Sequence, residues 1–285
     1  MGAFAIAKLT IWEASRRRLL LAVIVLTVII IGTSLWGFNR IWSLETNGQP
    51  VTSTQVRLIS SQLLILIAFM FSFVLALMAV LLASFSLPTE VETGVVLAML
   101  ARPLRRSELI LGKWLGMGLV VVAYAVISGG LEMAVVNFDT GYMPPHPVAL
   151  LACISAEGLI LLSMALLLST RLPGIAGGAI TAISFFMAWI AGIVGGIGSA
   201  FQNQAIEDVG IVSHLLLPTD ALWRAAVYSM EPASVLAVAR AAPPGASANP
   251  FLATHGLDTS MLLWIGFWFI AIVGLSIWSF RTREV

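Results

Sequence analysis

Charge is what this chain has least of. Of its 285 residues 10% are Asp, Glu, Lys or Arg, against 59% hydrophobic, and the mean hydropathy is +1.00. So apolar a composition cannot maintain a wetted surface, which excludes an ordinary soluble domain. Cysteine is nearly absent: Cys153 stands alone, so no internal disulfide can form. The three histidines, His146, His214 and His255, are far apart and fall in segments that read as loops, where solvated side chains rather than a metal site are expected. A net charge of +1 leaves no electrostatic footprint for a nucleic-acid partner. Gly112-Lys113 is followed by Trp114 and preceded by nothing glycine-rich, so the chain lacks the phosphate loop that would bind ATP. With no H-E-x-x-H and no G-x-S-G either, neither an enzyme nor a cofactor or metal is expected in this chain.

What is present is hydrophobic length. A helix needs about 20 apolar residues to cross the bilayer core. Six stretches qualify: residues 19–38, 63–85, 109–131, 148–168, 175–197 and 261–280. None alternates strictly as a membrane barrel strand would, so the expected fold is all-α, one polytopic transmembrane domain over residues 1–285. An even number of spans puts both chain ends on one side. Lys8, Arg16, Arg17, Arg18, Arg102, Arg105, Arg106, Lys113, Arg171, Arg281 and Arg283 fall there, against Arg40, Arg57, Arg224 and Arg240 on the other, which places both ends in the cytoplasm of a cell-membrane protein. Trp36, Trp42, Trp223, Tyr228 and Trp264 fall near the outer boundaries, where amphipathic rings prefer the headgroup zone. The basic cluster before the first apolar run could suggest a secretory signal, but "IGTSLWGFNR" offers no small-x-small cleavage site, so the run reads as a retained span.

Three regions stand apart from the spans. Residues 1–18 read as an interfacial helix lying on membrane lipid, with Phe4, Ala7, Ile11 and Ala14 on one stripe and a basic end. Residues 198–260 form a long outer segment. In it Pro218 precedes an expected helix near residues 219–230, with Thr219 or Asp220 capping its free amides and Arg224 further along; "AAPPGASANP" follows as a loop. The fifth span carries Gly174 with Gly178 and Gly192 with Gly196, spacings that let another helix approach closely. They fit a packing surface, a dimer interface or a pathway wall. Two acids sit at membrane depth: Glu132, expected at the interface, and Glu157, readable either as a pathway or gating group or as a hydrogen-bonded structural acid.

The third region, residues 88–106, interrupts the oil with charge. "EVETGVVLAMLA" reads as a short helix beginning at Pro88-Thr89, with Glu90 and Glu92 at its positive end, and it is too apolar to be a free loop. It must lie against the membrane or another protein. Glu90-x-Glu92-x-Gly94, then Leu97 and Met99, then Arg102-Pro103-Leu104-Arg105 and Gly112-Lys113, resembles the signature of type 2 ABC transporter permeases, with Val95 where that pattern has Thr. "LPTDALWR" (residues 217–224) is similar to the outer stretch of the subgroup containing the membrane subunit of the nitrous oxide reductase maturation transporter, with Leu217 in place of Asn. The resemblance implies a coupling helix seated on a separate cytosolic ATPase, which binds the ATP and Mg. It also implies two copies each of permease and ATPase, re-entrant or capping outer helices, and export as the activity. A channel or secondary carrier needing no ATPase is the alternative from another class.

Overall fold

The computed structural model describes residues 2–16, 18–43, 45–46, 49–92, 105–241 and 249–282. Its helices are α1 (Ala3–Ser15), α2 (Arg18–Ile41), α3 (Ser53–Ser84), α4 (Ser86–Glu92), α5 (Arg106–Thr140), α6 (Pro147–Ser169), α7 (Gly174–Ala200), α8 (Gln204–Leu216), α9 (Thr219–Met230), α10 (Ala233–Ala241) and α11 (Thr259–Arg281). Between α2 and α3 a minimal antiparallel ladder joins β1 (Glu45–Thr46) to β2 (Gln49–Pro50). Helices α2, α3, α5, α6, α7 and α11 are long and apolar enough to cross a membrane, as the hydropathy predicts.

Local chemistry sets the helix ends. Thr52 and Gln55 form a reciprocal capping box that starts α3 ten residues before the apolar run. The Glu108 carboxylate accepts from the Arg105 N–H at 3.3 Å to start α5, and Gly141, at φ 66°, ends it in the left-handed conformation that glycine adopts freely. At 32 and 35 residues, α3 and α5 are about 50 Å long and outreach a hydrocarbon core of about 30 Å. Both project from the face opposite the chain ends.

Helices α3, α5 and α6 pack on one another as the centre. Helix α2 lies against α5 and α3, α7 against α3 and α6, and α11 against α5 and α6. The contact of α2 with α5 is keyed by two hydroxyls. Thr27 pairs with the Tyr124 hydroxyl at 2.7 Å, and Ser34 donates to Glu132. Glu132 is therefore not interfacial as expected; it is 2% exposed, and its second oxygen has no partner among the described residues.

At the face carrying the chain ends, α1 does not simply float on lipid. Gly112 and Gly116, one turn apart on α5, let it approach so closely that a Cβ at Gly112 would lie 2.6 Å from the Ala3 carbonyl, and one at Gly116 2.7 Å from that of Ala7. The buried face of α1 is Ile6, Ala7, Thr10 and Ala14, while Phe4 points outward, so the expected stripe is rotated. Arg106 caps the last carbonyls of α11, donating to Phe280 O at 3.4 Å and Arg281 O at 3.1 Å, and Arg171 reaches Ser279 and Thr282. Two of the basic residues counted toward the expected topology thus also lie at a negative helix end.

Candidate functional site

Two regions carry the residues singled out above, one on each face. At the face with the chain ends, α3 breaks at Phe85 and continues directly as α4 from Ser86. Glu90 and Glu92 fall in the last turn of α4, and the rest of the helix expected over residues 90–101 lies outside the described residues. Their side chains, and Gly94, Leu97, Met99, Arg102 and Pro103 altogether, lie outside the described residues. What precedes and follows that stretch is firmly held. Lys113, expected as a loop-flanking charge, is 2% exposed and donates to Ser86 Oγ at 3.0 Å, tying the α3–α4 junction to α5. Its neighbour Gly112 receives α1. Arg105 is exposed just before α5.

On the opposite face the chain folds back into the bundle. Asn203 caps α8, whose Ile206–Glu207 backbone lies against Gly198; Gly210 meets Gly195, and Ser213 Oγ reaches Ala188 O at 3.5 Å. Helix α8 thus descends antiparallel along α7 for about 15 Å. Pro218 turns the chain, and α9 climbs back along α6 until Ser229 O accepts from the His146 N–H. The indole N–H groups of Trp264 and Trp268 in α11 donate to Leu215 O and Leu216 O, carbonyls that the end of α8 leaves unpaired. A re-entrant helical hairpin results, and α10 lies beyond it.

The hairpin carries a polar cluster. Asp220, its side chain wholly buried, accepts on Oδ2 from Arg224 Nε and pairs with His214 Nε2, both at 2.8 Å. Expectation and structure part here: α9 does span Thr219–Met230, but Thr219 and Asp220 cap no amides; Asp220 Oδ2 is taken by the two side chains, while Asp220 Oδ1 and Thr219 Oγ1 have no partner among the described residues. His214 is likewise a helix residue with a partner rather than a solvated loop side chain. Trp223 is buried, not interfacial. It forms an aromatic box with Phe69, Trp189 and Phe251, ring centroids 5.4 Å from Phe69, and its indole donates to Pro250 O.

Other residues singled out converge on this cluster. Gly192 faces Asp220 so closely that a Cβ would collide with the carboxylate. Glu157, 2% exposed in α6, accepts from Ser72 Oγ at 2.9 Å and lies within electrostatic reach of Asp220. Gly174 and Gly178 sit against Ser84 at the end of α3, whereas Gly196 is half-buried and the close approach to α8 falls on Gly195 and Gly198. All these glycine contacts lie within one chain. Gly210 in α8, opposite Gly195, was the missed signal, as was Gly112-x-x-x-Gly116. Among the described residues no group of three or more His, Cys, Asp or Glu could hold a metal ion.

Glu157→Gln is expected to leave expression and assembly intact, because the amide keeps an acceptor for Ser72, while lowering transport several-fold if the charge or its proton matters. A reconstituted transport assay on the intact complex checks this, and unchanged transport makes the residue a structural acid.

Nearer the surface, Glu231 ends α9 fully buried. One oxygen accepts from the Ala253 N–H at 3.4 Å and the other has no partner among the described residues. Burial raises its carboxyl from 4.5 to about 7, the Ala253 bond opposing this in part. Burial and the nearby Glu231 charge push the Tyr142 phenol up, and its hydroxyl donates to Met230 O. The fold favours protonated Glu231, so its contribution is complete below pH 4.5 and is lost as pH rises through about 7. The protection of residues 249–258 against hydrogen exchange, taken relative to the intrinsic base-catalysed rate at each pH, is therefore expected to be greater at pH 5.5 than at pH 8, a difference that Glu231→Gln removes.

No curated protein matches the chain. A family model described as ABC-2 family transporter protein matches residues 4–285. With that match over nearly its whole length and six spanning helices beneath it, the chain belongs to the ABC-2 transporter family, as a membrane permease.

Proposed function

We propose that the chain is the permease of an exporter in which two copies of it are driven by two copies of a separate cytosolic ATPase docked on residues 88–106. Both chain ends then face the cytoplasm of a cell membrane, and the ATPase supplies the ATP and Mg sites. The observation that carries this reading is the anchorage at either side of the docking segment. Lys113 joins Ser86 to α5, Gly112 joins α1 to the same turn, and Arg106 grips the end of α11. A push on residues 88–106 therefore reaches α3, α5 and α11 together instead of dissipating in a slack loop. The partner can shift the permease only by contacting its two conformations unequally. Residues 217–224 support a place near the subgroup containing the membrane subunit of the nitrous oxide reductase maturation transporter. Gly174, Gly178 and Gly192 of α7 are occupied within the chain, so the second copy would meet the exposed Ile183, Met187 and Ile190 instead.

Native mass spectrometry of the gently extracted complex is expected to give two permeases with two ATPases. A lone permease that moves cargo in liposomes without an ATPase would favour the carrier alternative and overturn the proposal.

A further inference from the structure

The carboxyl group of Glu132 is divided between two surroundings. Oε1 faces α2 and accepts from Ser34 Oγ. Oε2 is buried without a hydrogen-bond partner among the described residues, and Glu132 lines a cavity of about 20 Å³ between α3, α5 and α6. With Oε1 committed to α2, Oε2 is the oxygen left for that cavity. Its walls are oil, chiefly Leu64, Phe71 and Leu75 of α3 and Leu150 and Ile154 of α6. Two hydroxyls interrupt them, those of Tyr124 and Ser128, one and two turns back along α5 from Glu132.

Counting hydrogens shows that neither hydroxyl has one to give. Ser128 Oγ donates to Tyr124 O at 2.7 Å. Thr27 Oγ1 donates to Val23 O at 2.8 Å, so in its pair with Tyr124 the phenol must be the donor. The cavity wall therefore offers Oε2 acceptors only, and the group that suits it is an O–H on Glu132 itself. Nor does a cation reach the carboxyl among the described residues. The charged or titratable groups on the helices packed around α5 are Arg18 and Arg40 on α2, Arg57 on α3, Cys153 and Glu157 on α6, Lys8 and Glu13 on α1 and Arg281 on α11; α5 adds Arg106, Glu108, Lys113 and Asp139. None of them lines the cavity. One water in so small a space would satisfy the hydrogen bond and leave a charge uncompensated.

We propose that Glu132 is a proton-binding group linked to the seating of α2: its carboxyl carries a proton on Oε2 while Ser34 engages Oε1, and releases it to water when α2 parts from α5. The O–H bond breaks with its electron pair kept by the carboxylate. Water entering between the parted helices takes the proton and solvates the charge left behind. The seated pair binds one proton more than the parted pair, so acid favours the first and alkali the second. The proposal does not depend on the direction of transport or on the ATPase.

The test uses the purified full chain in a lipid bilayer. The infrared difference between wild type and Glu132→Gln at pH 7 is expected to contain a carboxylic-acid carbonyl band that deuterium exchange shifts. Glu132→Met, which fills the space without a polar atom, is expected to lose the same band. For the seating, spin labels are placed at Leu35→Cys on α2 and Ile127→Cys on α5, both exposed positions, while Cys153 is buried. Between pH 6 and pH 9 the ratio of parted to seated chains is expected to rise in wild type by up to about ten-fold per pH unit, the limit for one proton. In Glu132→Gln, which keeps an acceptor for Ser34 and cannot ionise, the ratio is expected to stay constant. A carboxylate band in place of the acid band overturns the proposal. So does a label distance that ignores pH, or one that follows pH equally in Glu132→Gln.

Discussion

Asp220→Ala is expected to lower stability by about 3 kcal/mol and the melting temperature by roughly 6 °C, the largest single effect in the hairpin. The carboxylate is the shared acceptor for Arg224 and His214, and its removal leaves a guanidinium largely sequestered from water with its nearest counter-charge gone. The side chain of Arg224 is one-fifth exposed, so the cost belongs at the low end of the range for breaking a buried pair. Asp220→Asn retains an acceptor and is expected to cost about half as much. Differential scanning fluorimetry in detergent gives the shift, and hydrogen exchange localises it: residues 204–230 should lose protection while α3, α5 and α6 keep theirs. An Asp220→Ala protein that melts like the wild type would mean that the cluster holds nothing together.

That cluster marks where the sequence stops being readable. The six spans are legible because hydropathy is a local property, and α9 is legible because Pro218 and Pro232 bracket a helical stretch. The descent of α8 is not. Gln204, Glu207 and Asp208 at its start look like a surface segment, and only the pairing of Gly210 with Gly195, fifteen residues earlier, betrays a partner. Glu132 fails as an interfacial residue for the same reason: its donor, Ser34, is 98 residues away, and no window over either residue sees the other. Glu157 and Asp220 each look like separate curiosities. Their proximity is a product of the chain turning back at Pro218.

Leu97→Asp and Met99→Asp are each expected to abolish productive coupling. If their apolar face is seated in a groove of the ATPase, a carboxylate there buries an unpaired ion at a cost of several kcal/mol, enough for about a hundred-fold loss of affinity or more. Insertion should be unaffected, since neither position falls in one of the six apolar runs of the sequence. Glu90→Ala and Glu92→Ala are expected to do less, because removing one polar anchor leaves no unpaired ion in an apolar groove. Co-purification reports association, and parallel measurement of ATP hydrolysis and transport reports coupling. Normal association and normal coupling in both aspartate variants would reduce residues 88–106 to a topology-setting loop and remove the basis for ATP-driven transport through it.

The hydroxyl keys on α2 also limit how the permease can move. Thr27 and Ser34 are seven residues apart on α2, and their partners Tyr124 and Glu132 are eight apart on α5, so both keys engage at one seating of the two helices. A slide of a single residue, about 1.5 Å, strands both at once in surroundings with no water to replace them. Helix α2 therefore behaves as a rod with a detent: it travels with α5 as one body or leaves it in one step, and intermediate positions are the least stable of all.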